Sequence, residues 1–351
     1  MYRAKDKNTV FLGGCIVYFR IFDGGMKNGS NVMSGKRIGE IDYLKSVCIL
    51  LMVAFHLVFF SEKYPLVKQW VYTFHMPAFL IISGYLMRVE KRPADFLRAM
   101  GWIFVPYAVM ETGYVLMSAV LPVREKVDSL SIGLVLDKLF LHPMGPYWYL
   151  HTYLLCGLMY YGVFRWMKKA GPVSRLVVLG TVYAFLAEVC QVVSLPNAMY
   201  FLAGVALRRS GTGFTSFFCP SVWALLPLVW LSADTANLDR FTPGGVAIVY
   251  LVMSVLLSLY RVLPERVKRF SDYLGAHTLV LLVFSPVFTM LSKALVPFLA
   301  FDPTGLCFLF VAVCLTVAGS FGMAWCIDRL HLSPYFWGRE RMLRPFREVT
   351  N

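Results

Sequence analysis

The chain has 351 residues, of which 58% are hydrophobic and 16% aromatic, and its mean hydropathy is +0.63. This composition is too apolar for a soluble domain of that size and predicts an integral membrane protein. Charged residues make up only 15% of the chain, yet the net charge is +14. We interpret this positive excess as a sign of membrane topology and expect no nucleic-acid partner.

The first 35 residues contain one weak apolar patch, TVFLGGCIVYF, which is interrupted by Gly13 and Gly14. The patch is too short to cross a bilayer. We therefore predict a poorly ordered N-terminal tail over 1–35, one membrane domain over 36–330 and a basic cytoplasmic tail over 331–351. Because no Cys or His spacing typical of metal ligands occurs, we expect no metal site.

Apolar runs of spanning length recur along the rest of the chain. They predict an all-α fold, a polytopic membrane helical bundle of about ten transmembrane helices. The runs cover residues 43–60, 70–87, 98–121, 147–166, 175–194, 197–209, 217–233, 244–260, 274–297 and 305–327. The sixth is the shortest and gives the weakest signal for a full crossing.

Lysine and arginine set the predicted orientation. With ten spans and a cytoplasmic N-terminus, all but seven of the 34 cations fall on the cytoplasmic side. The seven that fall outside are Lys63, Lys68, Arg124, Lys126, Lys138, Arg240 and Lys293. This bias favours ten spans with both termini cytoplasmic, because cytoplasmic loops of membrane proteins carry the excess of Lys and Arg.

Few ionisable residues lie within the apolar runs. An ionised side chain at mid-bilayer costs at least ~2.5–3.5 kcal/mol, so such residues usually face a cavity or a partner. On the predicted topology His56, His75, His151 and Glu188 come from four helices and share one depth in the outer half. Glu111 lies nearer the middle of the third span. A single membrane histidine also often serves as a structural hydrogen-bonding residue, and for His151 and Glu188 both interpretations stay open.

The first two spans carry the most informative spacing. Lys45 and His56 are eleven residues apart, which brings them to nearly the same helix face at a separation of about 16 Å. In the second span Pro77 follows His75, and Ser83-Gly84 permits close approach of another helix.

A basic cluster follows the second span and contains Arg88, Lys91, Arg92 and Arg98. Positive-inside topology explains such a cluster, and an anionic donor carrying phosphates would also require it.

At these residues the chain resembles the acyltransferase-3 family of integral membrane acyltransferases. The family's first span carries a basic residue, ten other residues and then a histidine. The stretch from Lys45 to His56 resembles this pattern. FHMPAFLIISGYLM at 74–87 resembles the fucose O-acetylase-like branch. Weaker similarities are Arg98 with the turn at 105–107, the Trp148-Tyr149-Leu150 opening of span four, and YFLAGVALRR at 200–209.

The resemblance implies an enzyme of a bacterial inner membrane that moves an acyl group, commonly acetyl from acetyl-CoA, to a hydroxyl of an extracytoplasmic or lipid-linked carbohydrate. His56 and His75 would be catalytic, with His56 as general base and His75 orienting the substrate, stabilising the oxyanion or sharing the base role. Phosphates of acyl-CoA would bind Lys45, Arg88, Arg92 and Arg98. Substrate-binding or supporting candidates are Asp42, Ser83, Glu111, Trp148, His151 and Glu188.

The chain departs from the family pattern at one position. Many relatives carry a histidine in a late span where GAHTLVLLVFSP has Ser285. If that histidine assists catalysis in relatives, this chain must work without it or use a different acceptor.

Two other classes of protein remain open at the level of sequence. His56 and His75 could be axial ligands of a b-type haem. Ten helices with buried charge also suit a transporter or flippase for a glycan or lipid.

Overall fold

The computed structural model describes residues 9–12, 15–18, 38–120 and 129–346. Near the N-terminus, strands β1 (Thr9–Leu12) and β2 (Cys15–Tyr18) pair antiparallel, with Thr9 opposite Tyr18. Several parts of the chain lie outside the described residues, namely the remainder of the predicted N-terminal tail, the first two residues of the predicted domain, the segment 121–128 and residues 347–351.

The rest of the described chain is helical. The α-helices are α1 Gly39–His56, α2 Val58–Ser61, α3 Pro65–Leu86, α4 Pro93–Val120, α5 Ile132–Phe140, α6 Trp148–Trp166, α7 Pro172–Glu188, α8 Leu195–Arg209, α9 Phe214–Phe217, α10 Leu225–Ser232, α11 Pro243–Val262, α12 Glu265–Ala276, α13 Thr278–Leu291, α14 Val296–Leu299, α15 Leu306–Arg329 and α16 Ser333–Phe336. Short 3₁₀ turns cover Gly145–Tyr147, Val222–Ala224, Thr235–Leu238 and Ser292–Leu295.

Each predicted span contains helix, which confirms the all-α character of the membrane domain. Three of them are divided: 43–60 is interrupted at Leu57, 274–297 is interrupted at His277, and 217–233 consists of short helical pieces. Within the described residues, three helical stretches are both long and apolar enough to cross a bilayer, namely Pro243–Val262, Thr278–Leu299 and Leu306–Arg329. The helices α8 and α10 have only 15 and 8 residues. At 1.5 Å per residue neither reaches across a 30 Å hydrocarbon core alone, so the number of full crossings stays a prediction.

Helix α3 lies at the centre of the bundle and packs against α1, α8 and α11. Its contact with α8 depends on two glycines. A Cβ atom on Gly84 would lie 2.1 Å from the Phe201 carbonyl oxygen, and one on Gly204 would lie 2.0 Å from the Ile81 carbonyl oxygen. The close approach predicted from Ser83-Gly84 is therefore present, and it places α3 firmly in the bundle.

The end of α1 and the first half of α3 lie side by side. Helix α1 ends at His56 because Leu57 has an extended backbone, with φ −74° and ψ 95°. The Tyr72 hydroxyl on α3 donates a hydrogen bond to the Phe55 carbonyl at 3.2 Å. Helix α3 continues through Pro77 to Leu86 without a break.

The connection before α11 folds back over α3. The Thr73 hydroxyl donates to the Leu238 carbonyl at 2.8 Å, and the Tyr200 hydroxyl donates to the Arg240 carbonyl at 2.7 Å. These two bonds bring Arg240 next to the middle of α3, a position that sequence distance does not reveal.

The C-terminal segment after α15 folds back onto the bundle. Asp328 accepts hydrogen bonds from the Ser333 hydroxyl and from the backbone N–H groups of Met342 and Leu343, the latter two at 2.8 and 2.9 Å. The Arg344 N–H also donates to His277 Nε2 at 3.2 Å. Residues of the predicted tail up to 346 are thus packed against the helices.

Candidate active site

A cavity of about 210 Å³ lies between α1, α3, α6 and α13, and we call it the histidine cavity. It is lined by Met52, His56, Tyr72, His75, Met76, Pro146, Trp148, Arg240 and Leu282. The two histidines from neighbouring helices therefore line the same cavity. This is the arrangement predicted for His56 and His75.

Both histidines of the histidine cavity are held in the same way. His56 Nδ1 lies 2.6 Å from the Met52 carbonyl oxygen, and His75 Nδ1 lies 2.8 Å from the Val71 carbonyl oxygen. A carbonyl can only accept, so Nδ1 carries the proton in each ring. In the neutral imidazole Nε2 then has a free lone pair, which is what a general base requires.

His75 is 2% exposed, and its Nε2 has no hydrogen-bond partner among the described residues. A buried polar atom without a partner usually marks a site that another molecule completes. Because this nitrogen is an acceptor in the neutral ring, His75 suits proton abstraction better than donation to an oxyanion.

Tyr72 packs against both imidazoles. Its ring centroid lies 6.3 Å from that of His56 and 5.1 Å from that of His75. Tyr72 is three residues before His75 and so lies on the same face of α3. The tyrosine thus links the two histidines and fixes their relative position.

Arg240 provides a positive charge in the histidine cavity. No carboxylate lines this cavity among the described residues. Burial lowers the pKa of the Arg240 guanidinium, while the nearby Asp239 carboxylate acts in the opposite direction. A guanidinium facing a cavity with two bases can stabilise negative charge that develops on a reacting oxygen.

A second cavity of about 310 Å³ adjoins the first and shares Met52, His56, Tyr72 and Pro146 with it. We call it the lysine-lined cavity, since Lys68 and Lys293 are part of its wall. Ser285, which stands where the family resemblance led us to expect a histidine, also lines it and is 1% exposed. His56 therefore lines both of these adjoining cavities, whereas His75 lines the histidine cavity and not the lysine-lined cavity.

A third cavity of about 540 Å³ lies at the other end of α3, and we call it the basic pocket. Arg88, Lys91, Arg98 and Arg339 line it, together with the aromatic rings of Phe96, Trp102, Tyr153 and Trp337. Burial and then the neighbouring Arg344 lower the pKa of the Arg339 guanidinium, so this cation lies in surroundings that favour binding of an anion.

Two of the predicted phosphate-binding residues lie elsewhere. Lys45 Nζ is paired with Asp42 Oδ1 at 2.7 Å, and Lys45 does not line the basic pocket. Arg92 is exposed and is absent from the same lining. Among the predicted set, Arg88 and Arg98 are the residues that the structure brings together, and Arg339 was missed.

Two supporting candidates make structural contacts near the cavities. The Ser83 hydroxyl and the Tyr149 hydroxyl lie 2.6 Å apart and join α3 to α6. Glu111 is fully buried, and its Oε1 accepts a hydrogen bond from the Met144 N–H at 2.6 Å. This contact holds the turn that carries Pro146, which lines both the histidine cavity and the lysine-lined cavity.

The remaining candidates are not grouped with His56 and His75. His151 Nε2 donates a hydrogen bond to the Phe140 carbonyl at 2.9 Å, so here Nε2 carries the proton. His151 lines a separate cavity of about 490 Å³. Trp148 lines that cavity and the histidine cavity. Glu188 is exposed at the end of α7. The shared depth predicted for the four ionisable groups does not bring His151 and Glu188 into the histidine cavity, because a shared depth does not imply a shared helix face.

Tyr72, Arg240 and Arg339 are the site residues that the sequence analysis missed. Tyr72 has a detectable signal, its spacing of three residues from His75. Arg240 has a weaker sequence signal, since it is one of the few cations that the predicted topology places on the outer side of the membrane. Arg339 gave no signal, because its position depends on the folding back of the chain at Asp328.

An apolar helical bundle that encloses two histidines and a charged residue is typical of an integral membrane protein with an internal site. The sequence model of a family described as an acyltransferase domain, acyltransferase-3, matches residues 38–325. The chain therefore belongs to the acyltransferase-3 family and is an acyltransferase. No curated protein and no solved structure matches the chain.

Proposed function

We propose that the protein moves an acyl group, acetyl in the first instance, from cytoplasmic acyl-CoA to a hydroxyl of an extracytoplasmic or lipid-linked carbohydrate. The observation that carries this proposal is the shared cavity of His56 and His75, with the basic pocket at the other end of α3. The donor and the acceptor would then approach the histidines from opposite ends of the bundle.

The proposal includes the membrane arrangement. Ten spans with both termini cytoplasmic put Arg88, Arg98 and Arg339 on the cytoplasmic side, where acyl-CoA is made, and Lys68 and Lys293 on the other side. A bacterial inner membrane and the fucose O-acetylase-like branch of the family are parts of the same proposal. Membrane lipids surround the bundle, and nucleic acid has no role.

The basic pocket is the proposed donor site. Its three arginines and Lys91 suit the phosphates of coenzyme A, and its aromatic rings suit an adenine base. From His75 to the last residue of α3, Leu86, is about 16 Å along the helix axis, and Arg88 follows two residues later. A donor with a long, thin arm between its phosphates and its thioester fits that separation.

The chemistry follows from the proton positions. His56 Nε2 takes the proton of the acceptor hydroxyl while the oxygen attacks the thioester carbonyl carbon. Arg240 stabilises the negative charge on the carbonyl oxygen. The carbon–sulfur bond then breaks, the thiolate of coenzyme A takes up a proton, and an ester remains on the acceptor. The Nε2 atom of His75 has the second free lone pair in the histidine cavity, and His75 shares the role of general base with His56.

The test is acyl transfer from radiolabelled acetyl-CoA to membrane glycans by the wild type, His56→Gln and His75→Gln. Removing a general base reduces the rate about 10²–10⁴-fold. The matched control is His151→Gln, because His151 is also a buried membrane-domain histidine but lines a different cavity. Equal activity of the double variant His56→Gln/His75→Gln and the wild type would overturn the proposal.

The alternatives predict different results. A transporter would move a labelled glycan across the membrane without adding an acyl group. A haem protein would bind porphyrin between His56 and His75, but the Tyr72 ring packs against both imidazoles in that region. An absorbance spectrum of the purified protein tests the haem alternative directly.

A further inference from the structure

The cations at the end of the bundle near His56 differ in what they contact. Lys63 donates to the Pro303 carbonyl at 3.1 Å and lies over the Phe59 ring. Lys138 is paired with Asp137 at 3.4 Å. Each of these two lysines thus has a structural partner.

Lys68 and Lys293 differ from those two lysines. Neither forms an ion pair with a described carboxylate, and both line the lysine-lined cavity. Lys68 Nζ lies 5.9 Å from the centre of the Tyr72 ring, a weak contact with a residue that lines the same cavity. The lining of this cavity contains no Asp or Glu among the described residues. Within the described part of the chain, the lining thus carries two ammonium groups, one half-buried on Lys68 and one exposed on Lys293, and no carboxylate beside them.

Lys68 and Lys293 also have a defined position relative to the histidine cavity. Lys68 is four residues before Tyr72 and seven before His75, so all three share one face of α3. Lys68 is about 10 Å from His75 along the helix axis. Lys293 and Ser285 approach the same cavity from the region of α13. His56, Lys68 and Lys293 line the same cavity, so a molecule bound there beside His56 would lie near the two ammonium groups.

We infer that the lysine-lined cavity binds an acidic group, a carboxylate or a phosphate, on the same acceptor whose hydroxyl is presented to His56. This inference rests on the proposed function and names the substrate class of that site. The acid would be a uronic acid residue of the glycan or the phosphate of a lipid carrier. Both offer oxygens that accept hydrogen bonds from two ammonium groups.

Positive side chains near a membrane surface can also contact lipid phosphates, because lysine extends its amine toward the headgroups. The experiment must separate this possibility. Nanodiscs of phosphatidylcholine contain no lipid with a net negative charge, so they remove anionic lipid as a competitor. Adding phosphatidylglycerol in a second set restores it.

The experiment measures how fast diethylpyrocarbonate modifies His56, followed by mass spectrometry of the purified protein in phosphatidylcholine nanodiscs. The probes are methyl glucuronide, its neutral counterpart methyl glucoside, and inorganic pyrophosphate as the phosphate probe. We expect the glucuronide, pyrophosphate or both to slow the modification several-fold and the glucoside to have little effect. His331, which is exposed at the other end of the bundle, is the internal control.

Three single variants and one double variant test the role of the lysines. Lys68→Gln and Lys293→Gln should each weaken the protection and together abolish it, while Lys63→Gln should keep it. Protection by the glucuronide alone identifies a carboxylate, and protection by pyrophosphate alone identifies a phosphate. Equal protection by the neutral glucoside, or protection that survives the double variant, would overturn the inference. Protection that requires phosphatidylglycerol would assign the lysines to lipid and also overturn it.

Binding of radiolabelled acetyl-CoA in the same samples separates this inference from the proposed function. The lysine variants leave the basic pocket intact and should bind acetyl-CoA as the wild type does. If neither the glucuronide nor pyrophosphate protects His56 in the wild type while acetyl-CoA still binds, the result would count against the acidic acceptor only. Absence of acetyl-CoA binding by the wild type would count against the donor proposal, whatever the anions do.

Discussion

Leu279 and Leu282 lie about one helical turn apart on α13, but Leu279 lines the basic pocket and Leu282 lines the histidine cavity. Three residues correspond to about 4.5 Å along the axis. Likewise on α6, Tyr153 lines the basic pocket and Trp148 lines the histidine cavity. The wall between the two cavities is therefore thin between α6 and α13, and a thioester would have to pass there.

Replacing Leu282 by tryptophan should close this wall. We expect Leu282→Trp to reduce acyl transfer strongly while acetyl-CoA still binds, since the basic pocket is unchanged. Overpacking will also lower stability by about 1–3 kcal/mol. Leu281→Trp is the matched control, because Leu281 is buried on the same helix and lines neither cavity. Equal loss of activity per folded molecule in both variants would contradict a passage at Leu282.

Arg240→Gln tests charge stabilisation in the histidine cavity. Loss of an oxyanion donor typically lowers kcat about 10²–10³-fold, so we expect that range with a small change in KM. The backbone bond from Tyr200 to the Arg240 carbonyl does not involve the side chain, so the connection should keep its fold. An increase in KM with kcat preserved would instead assign Arg240 to ground-state binding.

Asp328→Asn tests the attachment of the C-terminal segment. The carboxylate accepts N–H bonds from Met342 and Leu343, and hydrogen bonds to a charged group contribute about 1.5–3 kcal/mol. We expect a higher KM for acetyl-CoA, because Arg339 would no longer be held at the basic pocket. Arg339→Gln should raise the KM similarly. If Asp328→Asn lowers the thermal midpoint but leaves the KM unchanged, the segment has only a structural role.

Gly84→Ala tests the crossing of α3 and α8. The added methyl group would meet the Phe201 carbonyl oxygen, so the helices must separate and the thermal midpoint in detergent should fall markedly. Gly101→Ala on α4 is the control, since nothing lies within 4 Å of the added atom. Alanine is favoured over glycine inside a helix by about 0.5–1 kcal/mol, so the control should be neutral or slightly stabilising.

Asp302 gives a pH-dependent prediction. Hydrogen bonds from the Cys307 N–H and then the Thr304 hydroxyl hold the pKa of the Asp302 carboxyl below its usual range. A carboxyl whose pKa is depressed on folding stabilises the protein above its unfolded pKa, about 3.9, and this stabilisation is lost as the pH falls further.

The thermal midpoint of wild type should therefore exceed that of Asp302→Ala at pH 7 and at pH 5. Below about pH 4 the difference should shrink, because protonation removes the negative charge that caps α15. A difference that stays constant from pH 7 to pH 3 would show that ionisation of Asp302 does not contribute.

The sequence predicted the positions of the helices well, because apolar length and glycine or proline at their ends depend on neighbouring residues only. It also predicted the pair His56 and His75, which occupy adjacent antiparallel helices. Lys45 was predicted to bind the donor phosphates, but its charge is balanced by Asp42 one helical turn away. The predicted depth of Glu188 in the membrane is like that of His56 and His75, but its side chain is exposed. Arg240 and Arg339 depend on long-range backfolding, which periodicity does not encode.

The folding back of the chain at Asp328 has a consequence for biosynthesis. Arg339 and Trp337 complete the basic pocket, yet they follow α15 and leave the ribosome after the helices that line the rest of it. A partly synthesised bundle would enclose the two histidines but would lack part of the wall of the basic pocket. Binding of a donor there would thus become possible only after the last long helix has entered the membrane.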